Sequence, residues 1–196
     1  MNDFEKVVQK NIITLVKYLP THVTTWSTIL DDISRPLQVL SNQSEQLRCV
    51  DSANIDWMEN FKQIQGSLSH KISREISDTL IELKLKINQL KQVNNDLKTK
   101  VLTLEQSSLA IDWNSSSRIV KGSPTQPSLE NLLDHCLRFL TFFLEIGEKI
   151  YNAFNNLEVK KPESVQLLRE SFKVNLSDST VTYLIAITQY IDKNIN

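Results

Sequence analysis

The sequence predicts an all-α protein: an elongated helical bundle of about six helices, one of them long and heptad-bearing. Two observations carry this. First, Ile76, Leu80, Leu83, Ile87, Leu90, Asn94, Leu97, Val101 and Leu104 keep a 4-3-4-3 spacing over about four heptads, with Asn94 the one polar member. Second, the 196 residues include only 3 glycines and 5 prolines, which favours helix over a turn-rich β architecture. Neither residue type occurs between Gly66 and Gly122, so nothing in the covalent chain breaks a helix from Gly66 to about Gln106. Such a helix cannot bury its stripe alone. Other helices of the chain must cover it, or another protein must.

The elements follow in order. Phe4, Val7, Val8, Ile12, Leu15, Val16 and Leu19 define a first helix that Pro20 is expected to end. Thr21 then caps a second pattern, in which Val23, Trp26, Leu30, Ile33, Leu37, Leu40 and Leu47 hold heptad phase and Ser44 is polar. Pro36 interrupts this run at a cost of roughly 3 kcal/mol. Because the phase survives it, a kinked helix from about Thr21 to Val50 is expected. Asp51–Asn54 reads as a turn and Asp56 as a cap, with Trp57, Phe61, Ile64, Leu68 and Ile72 leading into the long stripe. Gly66 is expected to bend the helix or divide it. Lys71/Glu75, Glu82/Lys86 and Asp96/Lys100 mark a wet face.

From Ser107 to Pro127 the helical signal fails, and Asn114–Ser117 and Lys121–Pro127 carry loop chemistry. Ser128 caps the next helix, whose apolar positions run from Leu129 to Phe154 so broadly that cover on most sides is expected. Pro162 suits the first turn of a further helix, and Ser177–Thr180 opens a last one through Ile191. The organisation expected is therefore a bundle over 1–106, a flexible linker over 107–127 and a C-terminal lobe over 128–196. The stripes of Val23–Leu47 and Ile76–Leu104 are expected to pair antiparallel across the Asp51–Asn54 turn.

Composition narrows the function classes. The chain is 40% hydrophobic and 23% charged with a formal net charge of −1, so no bulk electrostatic or sequence-specific binding to nucleic acid is expected. The start, MNDFEKVVQK, lacks the pattern of a secretory signal, and Leu137–Ile150 is too short and too charged to span a bilayer. A cytoplasmic and nuclear protein is expected. Cys49 and Cys136 form no CxxC motif, and His22, His70 and His135 lack the i+3 or i+4 partner that a metal site needs. With no glycine-rich phosphate loop and no GxSxG elbow, no enzyme activity, cofactor or metal is expected. Asn94 is open to two readings: a polar residue tolerated where the stripe meets solvent, or a buried residue that fixes pairing register. Trp26, Trp57 and Trp113 suit a core, with Trp113 on the loop the one inclined to a partner contact. The residues expected to bind a partner are Leu83, Leu90, Asn94, Leu97 and Trp113.

The stretch Trp26–Leu47, WSTILDDISRPLQVLSNQSEQL, resembles the corresponding part of the AIRIM family, AAA ATPase-interacting ribosome maturation factors also called casein kinase 2 substrate-like proteins. The shared features are Trp26, Leu30, Asp31, Pro36, Leu37, Leu40, Ser41, Asn42, Glu45, Gln46 and Leu47. Similarity continues through Phe61, Leu68, Lys71, Ile76, Asp78 and Leu80–Val101, then Ile111-Asp112, the Ser/Pro-rich loop and Pro127-Ser128 with Leu132-Leu133. Beyond about Phe142 only apolar positions match. The resemblance implies a non-enzymatic adaptor that pairs with a small helical protein of the CINP type. Together they would bind AAA ATPases of the SPATA type, unfoldases that release shuttling factors from the maturing large ribosomal subunit. The same complex has a link to chromatin and replisome turnover. The other reading of the stripe is a coiled-coil structural subunit of a tethering, trafficking or kinetochore assembly.

Overall fold

The computed structural model describes residues 3–54 and 60–191, so the expectations for Asp56 and Trp57 lie outside the described residues. Its helices are α1 (Asp3–Ser52), α2 (Phe61–Ser108), α3 (Arg118–Lys121), α4 (Leu129–Asn155), α5 (Pro162–Ser171) and α6 (Ser179–Thr188). Among the described residues there is no strand, only one isolated bridge between Ser123 and Gln126. The chain groups into two compact units. The first takes the chain up to Ser27, Lys91–Gly147 and the residues from Asn175 onward; the second takes Thr28–Leu90 and Glu148–Val174.

α1 corrects the expectation of a stop at Pro20 and of a separate helix from Thr21. It runs through both Pro20 and Pro36 as one element. The reason lies in the buried seam: Glu5, Val8, Ile12, Leu15, Leu19, His22, Trp26, Ile29, Ile33, Leu40, Ser44 and Leu47 recur at heptad spacing on both sides of each proline. Burial of a large apolar side chain contributes about 1.5–3 kcal/mol, so a seam of this length outweighs one missing backbone bond per proline. The seam also corrects the phase read from apolar residues. His22 and Ile29 are buried where Val23 and Leu30 were expected, and Glu5 is buried while Phe4 and Val7 are exposed.

α2 likewise continues through Gly66, whose missing Cβ faces open space. Its buried set is Ile72, Ile76, Thr79, Leu83, Ile87, Leu90, Asn94, Leu97, Val101, Leu104 and Ser108, with Thr79 in place of the expected Leu80. Ile64 and Leu68, expected to lead into the stripe, are exposed.

Antiparallel pairing of α1 and α2 is visible within each unit. In the first, Asn11 donates to Ser107 Oγ at 3.0 Å, and one heptad further along α1 the Tyr18 ring lies under Lys100 Nζ at 4.9 Å. In the second, Lys86 pairs with Asp32 at 2.7 Å, Thr79 donates to Gln43 at 3.0 Å and Ser69 donates to Asp51 at 2.8 Å. Lys86 and Lys100 thus serve α1, not the Glu82 and Asp96 partners expected on their own helix. Lys160 and Ser69 both bond the Asp51 carboxylate, which holds its pKa below the usual range. Ser44, buried in the seam, donates to the Val159 carbonyl ahead of α5.

The Ser107–Pro127 stretch departs from the expectation of a segment without helix. Ser117 caps the single turn of α3, which buries Ile119 and Val120. Gly122 adopts φ 83°, and a Cβ there would sit 2.8 Å from the Ser128 nitrogen, so the position requires glycine. Ser123 and Gln126 then close a turn with backbone bonds of 2.7 and 3.2 Å, and the Gln126 amide exchanges two hydrogen bonds with Gln9 of α1. Ser128 accepts from the Asn131 N–H at 3.4 Å, opening α4 where expected. α4 is not covered on most sides: Leu129, Leu132, Cys136, Phe139, Leu140, Phe143 and Ile150 are buried, but Leu137 and Leu144, one heptad apart, are exposed. Asp178 caps α6, accepting from Thr180 N at 2.8 Å.

Candidate functional site

The centre of the first unit is a polar clasp in an apolar seam. Asn94 is 4% exposed and uses both ends of its amide. The Trp26 Nε1–H donates to Asn94 Oδ1 at 2.9 Å, and Asn94 Nδ2 donates to the Phe143 carbonyl at 2.8 Å. One side chain of α2 therefore bonds α1 and α4 together. Gly147, one turn beyond Phe143, makes this approach possible, because a Cβ at that position would stand 2.9 Å from Asn94 Nδ2. A buried amide whose donor and acceptor are both matched fixes register, since any slip leaves polar groups unpaired. Of its two readings, Asn94 takes the register-setting one.

Aromatic rings surround the clasp. Trp26 meets Phe143 at 5.2 Å, and Phe143 meets Phe139 at 4.9 Å and Phe142 at 5.2 Å between centroids. His22 lies among them, edge-on to Phe143 at 4.4 Å and close to Tyr18 and Phe139. It is fully buried, and neither ring nitrogen has a hydrogen bond of ordinary geometry. Burial lowers its pKa from 6.5 to about 4; the nearby Val93 carbonyl and Asp96 carboxylate pull upward without reversing the shift. His22 is thus a neutral core ring at physiological pH.

The five residues expected to bind a partner divide sharply. Leu83, Leu90 and Leu97 are buried against the chain's own helices, and Asn94 is spent in the clasp. Trp113 is 43% exposed, and Leu109, four residues earlier, is 79% exposed. The turn that displays Trp113 is braced: Ser115 N donates to the Asp112 carbonyl at 3.0 Å and Asn114 N to the Asp112 carboxylate at 3.0 Å. Ile111 before it and Ile119 after it are buried, which anchors both ends. The sequence reading missed His22 and Gly147. A lone glycine inside so apolar a helix was the available signal, since it points to a close approach.

Catalytic machinery finds little material. Burial pushes the Cys136 thiol up to about 12, so it stays protonated, and the neighbouring His135 ring packs on Tyr183 at 4.7 Å. Among the described residues no three His, Cys, Asp or Glu side chains gather to hold a metal ion, and no helix is long and apolar enough to cross a membrane.

No curated protein matches the chain significantly. The family model for ribosome biogenesis proteins described as C1orf109-like matches residues 6–189, a span that takes in both seams from Val8 onward, the clasp, the Trp113 turn and α4 to α6. The chain belongs to this C1orf109-like family of ribosome biogenesis proteins, the AIRIM family that its Trp26–Leu47 stretch resembles.

Proposed function

We propose that this protein is a non-enzymatic adaptor in maturation of the large ribosomal subunit. It joins AAA ATPase subunits of the SPATA type to a second small helical protein of the CINP type, and through them to the pre-ribosomal particle. The observation that carries this reading is the family match over residues 6–189, which supports a role in ribosome biogenesis; the adaptor role and its partners are what the AIRIM resemblance implies. The packing supports it in one respect. Leu83, Leu90 and Leu97 are consumed inside the chain, so the heptads build a platform and partner contact falls to outward residues such as Trp113. A structural subunit that joins a coiled coil through this stripe would need those leucines exposed. The adaptor acts where ribosomal particles mature, in the nucleus and cytoplasm.

Affinity purification of the tagged full chain from cells tests the proposal. The expected result is recovery of AAA ATPase subunits and a CINP-type protein with pre-60S factors. Recovery of cytoskeletal or vesicle proteins alone contradicts it.

A further inference from the structure

We infer that one face of α2 is an RNA-binding stripe, in which Lys84, Asn88, Lys91, Asn95 and Lys98 contact the phosphate backbone of ribosomal RNA. The inference rests on family membership and on the stripe itself, not on the adaptor reading.

Three observations carry it. First, the five residues repeat at a 4-3-4-3 spacing, which lines them up on one helix face, and all five are exposed. Because they stand on a single helix, their alignment follows from α2 alone. At about 1.5 Å per residue the stripe is roughly 20 Å long, with successive lysines about 10 Å apart. Second, no carboxylate shares the stripe. Asp78, Glu82 and Asp96 fall on the far side of α2, where Asp96 accepts from Gln92 at 2.9 Å; Glu105, one heptad beyond Lys98, marks where the stripe ends. Lys86, towards α1, is taken by Asp32, whereas Lys84 and Lys98 form no ion pair among the described residues. The formal net charge of −1 is an average that conceals this local row of cations. Third, the stripe has no apolar member from Lys84 to Lys98. A protein partner needs an apolar core to its interface, whereas nucleic-acid interfaces are polar and cationic. Lysine and asparagine both donate to phosphate oxygens, and a ribosome biogenesis family acts on particles built around RNA.

The test titrates fluorescently labelled single-stranded RNA of mixed sequence with the purified full chain at several salt concentrations. The expected slope of log K against log salt is about −2, as for three phosphates on a single strand. Lys84→Ala, Lys91→Ala and Lys98→Ala should each flatten it by about 0.7 and weaken binding alike for all RNA sequences. Asn88→Ala and Asn95→Ala should weaken binding without changing the slope, since an amide carries no charge. Lys71→Ala, on the opposite face of α2, should change neither. All of these side chains are exposed, so each variant should keep its cooperative melt. The inference is overturned if the unsubstituted chain binds no RNA, or if the triple lysine variant binds with an unchanged slope. Polyglutamate that binds more tightly than RNA through the same lysines would assign the stripe to an acidic protein, and overturns it too. Recovery of AAA ATPase subunits from cells is a separate readout, so the adaptor reading stands or falls independently.

Discussion

Asn94 shows how one side chain sets the arrangement of three helices. Its amide bridges Trp26 and the Phe143 carbonyl, and Gly147 leaves the room that the bridge occupies. Asn94→Ala strands the Trp26 N–H in an apolar site, at an expected cost of about 2 kcal/mol by denaturant titration. Gly147→Ala drives a methyl against the Asn94 amide and should cost about 1–3 kcal/mol. Because shortening Asn94 removes that clash, the double variant should lose clearly less than the sum of the two. His22 supplies a second residue-scale outcome. Its folded pKa of about 4 lies below the ordinary 6.5, so between these values the unfolded state binds more protons. Stability is therefore at its full value above pH 6.5 and falls as pH drops toward 4, by on the order of 3 kcal/mol in total. Thermal melts of His22→Leu should show a flatter profile over this window. Neither residue was fully legible in the sequence. Asn94 stood out as the one polar break in an apolar stripe, but a heptad count says nothing of the partner that meets it. His22 was passed over because a polarity count assigns its seam place to Val23.

At the scale of elements, heptad spacing decided more than local breakers did. The long stripe of α2, the start of α4 at Ser128, the proline opening of α5 and the cap of α6 were all legible, because each rests on period or on cap chemistry within a few residues. Pro20 was misleading for a physical reason. Local propensity subtracts about 3 kcal/mol at one position, whereas seam burial adds a comparable amount at nearly every heptad position on either side. Pro20, exposed on α1, should therefore be dispensable. Pro20→Ala restores a backbone bond and is expected to raise the melting temperature. The Ser107–Pro127 stretch was hidden in part for the opposite reason: Gln126 is tied to Gln9 of α1, a contact between residues far apart in sequence. α2 also carries its own prediction. Leu90 is 1% exposed, so Leu90→Asp buries an unpaired carboxylate and should abolish the cooperative melt, not merely a partner contact.

For the whole molecule, the central claim is that the heptad seams are satisfied within the chain, so that the protein folds alone. Family membership accounts for the role in ribosome biogenesis, and burial of the seams accounts for helices that pack against one another within the chain. The measurement that tests this most directly is sedimentation equilibrium of the isolated chain combined with thermal melts over a wide concentration range. The account predicts a monomer whose melting temperature does not depend on concentration. An obligate oligomer, or a melting temperature that rises with concentration, would show that the seam needs a second chain and would contradict it.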